Sequence, residues 1–167
     1  MASLIAIDTS VFVEFIDPIG DFHSQAQLVL NAVNSGKAVG LVPHPVFAEL
    51  YNVGTRLYEK TDSSKQGIEK KAQEFLPTIR SERLIKWLFS LPGIRMPENN
   101  LELAMQAGDI KKNYSLALTD SYVIATAKLN KCKAIFRSPE EEMNRGGKLS
   151  KLKKYDGVEI VFLEDYS

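Results

Sequence analysis

The chain has little of several features that mark particular classes of protein. It contains one cysteine among 167 residues, so no disulfide can form within the chain and nothing marks an oxidising compartment. No apolar run approaches the roughly 18 residues that would span a bilayer, and the first residues lack the basic start of a signal peptide. We therefore expect a soluble protein of the cytoplasm.

The chain also has no excess of positive or negative charge. Lysine and arginine together number 21 and are balanced by 21 acidic residues, which gives a formal net charge of zero. A protein without a global field has no general attraction to nucleic acid or membrane, so any polyanion must be bound by a local patch. The positions of individual charged residues therefore carry the information about function.

What is present is a pattern of short apolar runs alternating with segments of helical spacing. The runs cover residues 4–7, 38–42, 94–96, 133–136 and 158–163. Such alternation predicts an α/β fold with a central parallel sheet and helices on both faces, in three layers. The length and the 44% hydrophobic content suit a single domain over residues 1–167.

One charged segment interrupts this alternation. Residues 61–64 are polar and predict a loop, and residues 65–91 have a highly charged helical pattern that is broken at Pro77. We interpret residues 65–91 as an inserted pair of helices, suited to a lid or a partner surface.

Three acids occupy unusual positions in this pattern. Asp8 directly follows the first apolar run, and in open parallel sheets ligands bind beyond the carboxyl ends of the strands. Asp8 could equally cap the following helix, as could Thr9 or Ser10. The position alone leaves both interpretations open.

The other two acids lie on predicted helices. Glu49 shares a helix face with Val46 and Val53, so its carboxylate lies on or beside an apolar stripe or reaches solvent at the helix edge. Asp120 comes before the apolar stripe of the helix near residues 120–130, where it could bind a ligand or, like Thr119, cap the helix.

Together the three acids predict a cation site. Crowded carboxylates repel one another and raise their own pKa values, and a divalent cation removes that repulsion. Mg²⁺ and Mn²⁺ prefer oxygen ligands, and such an ion favours phosphoryl chemistry. We expect Mg²⁺ or Mn²⁺ as the cofactor.

The motifs around these acids resemble those of the PIN-domain ribonucleases. The resemblance rests on Ile-Ala-Ile-Asp-Thr-Ser ending at Ser10, Val-Phe-Ala-Glu-Leu around Glu49, and Leu-Thr-Asp-Ser-Tyr-Val-Ile-Ala-Thr-Ala around Asp120. Their order and spacing agree over nearly the whole chain, apart from the charged insertion.

The resemblance implies a metal-dependent endoribonuclease that acts on single-stranded or structured RNA. It makes Asp8, Glu49 and Asp120 the catalytic metal ligands and Ser10 a supporting hydroxyl. Because many relatives are toxins of toxin–antitoxin pairs of the VapBC type, it also implies a possible antitoxin partner and a homodimer.

The sequence departs from the family pattern at one point. Relatives often carry a fourth acid after the strand that here ends at Phe136, and Ser138 stands in its place. Glu140 or Glu141 could supply the missing carboxylate, or Ser138 could take a supporting role. Otherwise the site is incomplete, with one metal, weak affinity or no activity.

Basic residues follow this region. Arg137 could contact a phosphate or pair with one of the acids 140–142, and the tract 145–154 contains no acid. Phosphate contacts by such side chains supply most sequence-independent affinity for nucleic acid, although a basic helix face can simply be solvated. The predicted RNA-binding residues are Arg137, Arg145, Lys148, Lys151, Lys153 and Lys154.

Two functions of other kinds stay open. The first is a non-catalytic RNA-binding or scaffold protein with a decayed site, which the departure at Ser138 favours. The second is an aspartyl-phosphate phosphotransferase of the haloacid-dehalogenase type, but that chemistry wants a second Asp where Ser10 stands.

Overall fold

A parallel sheet forms the centre of the molecule. The computed structural model describes residues 2–63 and 70–166. Within them, five strands form one sheet in the order β3-β2-β1-β4-β5, and every adjacent pair is parallel. The prediction of a three-layer α/β fold with a central parallel sheet is confirmed.

The elements follow one another in the predicted alternation. The strands are β1 (Ser3–Ile7), β2 (Ala38–Leu41), β3 (Ile94–Arg95), β4 (Lys133–Phe136) and β5 (Ile160–Phe162). The helices are α1 (Thr9–Ile16), α2 (His23–Asn34), α3 (His44–Ser63), α4 (Lys70–Ser90), α5 (Leu101–Tyr114), α6 (Leu118–Leu129), α7 (Glu141–Asn144) and α8 (Lys148–Lys151). No helix in the described ranges combines the length and apolarity needed to cross a bilayer.

The central strand becomes more buried towards its carboxyl end. Ser3 and Leu4 are exposed at the start of β1, whereas Ala6 and Ile7 are fully buried between the neighbouring strands and the helices. Helix α6 packs against this strand and against β4, and helix α1 packs against β4. The residue after β1 therefore enters the interior of the protein, where a charge is costly unless it has partners.

The charged insertion differs from its prediction in two ways. Thr61 to Ser63 continue helix α3 where a loop is predicted, and the Thr61 hydroxyl donates back to the Leu57 carbonyl. Helix α4 runs through Pro77, where a break is predicted, although proline removes one helical hydrogen bond. Residues 64–69 of the predicted loop and insertion lie outside the described residues.

Packing of α3 against α4 explains why the helices continue. Phe47 packs edge-on against Phe89 near one end, and the Ser81 hydroxyl donates to the Tyr51 carbonyl further along, so the helices run antiparallel. Gly54 allows this approach, because a Cβ there would lie 3.0 Å from the Ser81 Oγ. Contacts along both helices offset the local cost of the proline.

A polar cluster fixes the carboxyl-terminal part of the chain to helices α5 and α6. The Asp156 carboxylate accepts a short hydrogen bond from the Tyr114 hydroxyl and one of 2.8 Å from the Lys128 Nζ. Burial by itself raises the pKa of Asp156, but the hydrogen bonds from Lys128 and Tyr114 outweigh it and hold the pKa below the ordinary 3.8. The ionised form of Asp156 is therefore favoured by the fold.

We expect Asp156→Asn to lower the free energy of unfolding at pH 7 by about 1–2 kcal/mol, since a charge-assisted contact is lost. Because the folded-state pKa is depressed, this contribution is present above about pH 4 and disappears as the pH falls through the folded-state value. Urea unfolding at pH 7 and pH 3, with exposed Glu164→Gln as control, measures it. An equal deficit at both pH values would contradict the charge-based explanation.

Candidate active site

The candidate site lies where the order of the strands reverses. The chain passes outward from β1 to β2 and β3 on one side, and β4 and β5 lie on the other, so the crevice is between the carboxyl ends of β1 and β4. Asp8 directly follows β1 and Arg137 directly follows β4. The cleft is lined by Asp8, Thr9, Ser10, Val13, Glu14, Glu49, Val53, Asp120, Arg137 and Glu140.

Asp8 is both a helix cap and a residue of the cleft. Its Oδ2 accepts hydrogen bonds from the Ser10 backbone N–H (2.9 Å) and the Ser10 hydroxyl (2.5 Å), which caps α1. The residue is only 4% exposed, and its Oδ1 is buried with no hydrogen-bond partner among the described residues. An unpartnered carboxylate oxygen in the interior is costly and suits a cation.

Ser10 connects the two central strands at the site. Its hydroxyl donates to Asp8 and accepts the Arg137 backbone N–H at 3.0 Å. The backbone N–H of Asp8 in turn donates to the Ile135 carbonyl at 3.0 Å. The hydroxyl predicted to support the site thus holds the turn after β1 against the turn after β4.

Glu49 faces the cleft from helix α3. Its Oε2 accepts a hydrogen bond of 2.6 Å from the Thr9 hydroxyl, and Val53, one turn further along α3, lines the same cleft. Thr9 itself is 5% exposed. From the sequence, Thr9 is predicted only as a possible helix cap. Its place beside Asp8 is the signal that could have assigned it to the site.

Asp120 lies in the first turn of α6, as its third residue. The N-cap position is held by Ala117, which makes no side-chain cap, so the interpretation of Thr119 or Asp120 as the capping residue is wrong. Positive dipole at the helix start still favours a carboxylate in this turn. Asp120 reaches the cleft that Asp8 and Glu49 line.

The acids of the cleft perturb one another. Burial, with Glu49 adding to it, raises the pKa of Asp8 to about 6 even though the Ser10 hydrogen bonds oppose the shift. Burial, followed by the charges of Asp8, Glu140, Glu49 and Glu142, raises the pKa of Asp120 to about 8. Burial is the main cause of both upward shifts, and the neighbouring carboxylates add to it.

The acids after β4 divide between different surroundings. Glu140 lines the cleft, whereas Glu141 forms an exposed ion pair with Arg145 one turn along. Ser138, where the family resemblance leads us to expect an acid, is half-buried and is not among the cleft-lining residues. Of the acids proposed to replace the missing carboxylate, Glu140 is the one that reaches the cleft.

The acids of the cleft have the chemistry that a hard divalent cation requires, but they are not arranged as a preformed metal site. In residues 2–63 and 70–166 no three histidine, cysteine or acidic side chains converge closely enough to hold an ion. The acidic side chains that line the cleft nevertheless offer oxygen ligands. One of these oxygens, the Asp8 Oδ1, is buried and has no hydrogen-bond partner among the described residues. Both features suit Mg²⁺ or Mn²⁺, which prefer oxygen and keep several waters.

Glu14 is a cleft residue that the sequence analysis missed. It is 5% exposed, its Oε1 forms an ion pair with the Arg137 Nε, and its Oε2 accepts the Phe22 backbone N–H at 2.8 Å. Arg137 also reaches Asp21, so its partners are acids of the first helical region and none of residues 140–142. The available signal was a single acid within the otherwise apolar stretch 11–16.

The basic tract is separate from the lining of the cleft. Arg145, Lys151, Lys153 and Lys154 are exposed, and Lys148 is half-buried. Arg145 pairs with Glu141, and the others do not line the cleft. The structure therefore brings Arg137 to the cleft and leaves the rest of the predicted basic residues on the surface beyond it.

Comparison with known proteins identifies the family. The model of the PIN domain matches residues 5–140, which include Asp8, Glu49, Asp120 and Glu140. The chain belongs to the PIN-domain family. No curated protein matches the sequence.

Solved structures share the fold at low sequence identity. A toxin–antitoxin complex from Klebsiella pneumoniae aligns with a TM-score of 0.54 and 14% identity, covering 97% of this chain and 98% of the other. VapC20 of Mycobacterium tuberculosis, a toxin that cleaves the sarcin–ricin loop, aligns with 0.58 and 14%, covering 85% and 95%. VapBC2 of Rickettsia felis, bound to a DNA fragment from its promoter, aligns with 0.56 and 9%, covering 95% and 98%.

We expect Asp120→Asn to stabilise the metal-free protein at pH 8. An acid with a raised folded-state pKa costs stability as the pH rises from the unfolded value of 3.8 towards about 8, and the amide removes that cost. The gain should be about 1–3 kcal/mol at pH 8 and near zero at pH 4. Urea unfolding in EDTA measures it, with exposed Asp109→Asn as control. A variant less stable than wild type at pH 8 would show that ionised Asp120 does not destabilise the folded protein.

Proposed function

We propose that this PIN domain is a metal-dependent endoribonuclease that hydrolyses phosphodiester bonds of RNA. The observation that carries the proposal is the group of mutually repelling acids at the β1–β4 crevice, with the Asp8 Oδ1 buried and unpartnered. Family membership supports the same chemistry, because PIN domains are typically ribonucleases.

The residues that would hold Mg²⁺ or Mn²⁺ are Asp8, Glu49 and Asp120, with Glu140 as the fourth acid. When bound, such an ion supplies Lewis-acid activation of water and stabilises the charge that develops on the phosphate. Burial and the neighbouring acids raise the pKa values of Asp8 and Asp120, and both carboxylates would be held in their ionised form if they served as ligands of such an ion.

Neighbouring hydroxyls orient two of these carboxylates. Ser10 donates to Asp8 Oδ2 and thereby leaves Oδ1 as the oxygen available to a ligand. Thr9 donates to Glu49 Oε2 in the same manner. Supporting hydrogen bonds of this kind fix the direction of ligands and are needed for a site to bind tightly.

The charges in and around the cleft bear on the proposed RNA substrate. The cleft is open and rich in acids, so binding of a polyanion needs cations placed outside it, and the tract containing Lys151, Lys153 and Lys154 offers them. The likeness to VapC20, a toxin that cleaves the sarcin–ricin loop, is in keeping with single-stranded or structured RNA as the proposed substrate.

We also propose protein partners for this chain. Two of the similar structures contain a toxin together with its antitoxin, which supports an antitoxin partner for this chain. A place in the cytoplasm is proposed from the sequence alone. A homodimer is proposed from the family resemblance. Exposed aromatic side chains on α4, such as Phe75 and Phe89, leave surface for contacts with a protein.

A second function has a specific observation in its favour. Ser138 replaces the acid that relatives often have, and the described acids do not converge into a preformed cage. A PIN domain that binds RNA without cutting it would have both features. Metal binding and cleavage separate this alternative from the proposed nuclease.

We expect wild-type protein to cut a mixed single-stranded RNA with Mn²⁺ or Mg²⁺ and to stop in EDTA. Asp8→Asn and Asp120→Asn should each lower the cleavage rate at least about a hundredfold, because each removes a charged ligand while retaining shape. Gel assays with Asp109→Asn as the charge-matched control test this. Full activity in either cleft variant would remove these residues from the ligand set, and no cutting by wild type would favour the binding protein.

We expect the triple change of Lys151, Lys153 and Lys154 to glutamine to weaken RNA binding and reduce the salt slope by up to about 2. Fluorescence anisotropy over a range of salt concentrations measures both quantities. The control is a triple glutamine variant of Lys37, Lys86 and Lys131, exposed lysines that do not line the cleft. An unchanged slope in the tract variant would place the RNA elsewhere.

A further inference from the structure

Arg137 has two acidic partners that differ sharply in exposure. Its Nε pairs with Glu14, whose side chain is 6% exposed, and an Nη pairs at 3.2 Å with Asp21, whose side chain is 80% exposed. The guanidinium also lies over the Phe22 ring, 5.6 Å from its centroid. One cation therefore has a buried partner and a solvated partner at once.

The two partners should have different strengths. A buried charge that loses its partner is strongly destabilised, so Glu14 keeps the Nε side of Arg137. Glu14 is itself fixed, because its other oxygen accepts the Phe22 backbone N–H. Asp21 is solvated, and ion pairs between exposed groups contribute little and exchange easily.

Arg137 is partly exposed and belongs to the lining of the cleft. The side chain is 41% exposed and lines the cleft together with Asp8 and Asp120. Its backbone N–H donates to the Ser10 hydroxyl that also holds Asp8, so the position of Arg137 is coupled to that of the acids. The Arg137 Nε is buried in an ion pair with Glu14, although it makes no hydrogen bond of good geometry there. The Nη groups of a planar guanidinium form a fork that suits a phosphate.

We propose that Arg137 binds a backbone phosphate of the RNA in the cleft, and that Asp21 is the exchangeable counter-ion that this phosphate displaces. Glu14 remains the fixed partner in both states. The inference rests on the proposed function, since it takes RNA as the occupant of the cleft. It assigns to Asp21 a competing role that lowers affinity for RNA.

If Asp21 and the phosphate compete for Arg137, removing the charge of Asp21 should strengthen RNA binding, and only while Arg137 is present. Asp21→Asn should tighten RNA binding roughly threefold, because the phosphate no longer displaces a carboxylate. Arg137→Gln should weaken binding about tenfold through loss of a charge-assisted contact. Asp21→Asn should give no gain when Arg137 is already glutamine, since the two residues act through one contact.

The test is a double-mutant cycle measured by fluorescence anisotropy with a short labelled single-stranded RNA of mixed sequence. All variants carry Asp8→Asn and are measured in EDTA, so that binding is observed without cleavage. Asp109→Asn removes the same charge at an exposed position without a described partner, and it controls for the general effect of net charge. Arg137→Lys keeps the charge without the fork and should lose affinity to an intermediate degree, which gives a second variant if Arg137→Gln folds poorly by circular dichroism.

The outcomes separate this inference from the proposed function. A gain from Asp21→Asn that equals that of Asp109→Asn, or that persists without Arg137, would overturn the inference alone. Failure of the protein to bind RNA under any of these conditions would overturn the proposed function together with the inference. If Asp21→Asn tightened binding of an acidic peptide and left RNA unchanged, Arg137 would belong to a protein interface instead.

Discussion

Burial of neighbouring carboxylates at the carboxyl edge of a parallel sheet is the constraint on which this structure depends. Asp8 must follow β1 into the interior because the strand is most buried at that end, and Ser10 fixes it there by satisfying one oxygen. Glu49 and Asp120 approach from α3 and α6, and burial together with the neighbouring carboxylates raises the pKa values of Asp8 and Asp120. A fold that keeps such a group has reason to bind a cation.

The same cleft contains one acid whose charge is already balanced. Glu14 is as deeply buried as Asp8, but it pairs with Arg137 and accepts a backbone N–H. The two acids therefore differ in their partners: Glu14 pairs with Arg137, whereas the Asp8 Oδ1 has no hydrogen-bond partner among the described residues. This difference lets a phosphate meet Arg137 on one side and a metal on the other, as the proposed chemistry requires.

Much of the site could be predicted from sequence because strand ends and helix faces follow from local patterns. Asp8, Glu49 and Asp120 stand at the end of a strand or on a predicted helix face, and the structure brings all three to one cleft. Glu14 was missed because an acid inside a short helix gives no sign of its partner, which here lies 123 positions away. Long-range ion pairs of this kind depend on the tertiary fold.

The errors in the helices have a similar cause. Pro77 and the polar residues 61–63 are local signals for a break and a loop, and local propensity is weaker than packing over two long helices. The arrangement of α3 against α4 depends on contacts such as Ser81 with Tyr51, which no local window contains. Sequence patterns predicted the kind of element here but not where each one ends.

Calorimetric titration of Mn²⁺ into the wild-type protein tests the central claim most directly. Two buffers at pH 7 with different ionisation enthalpies reveal how many protons leave when the ion binds. Because the pKa of Asp120 is raised to about 8, the account predicts binding with proton release, and loss of that release in Asp120→Asn. No binding, or binding with the same proton balance in both proteins, would contradict the assignment of the acidic cleft as a metal site.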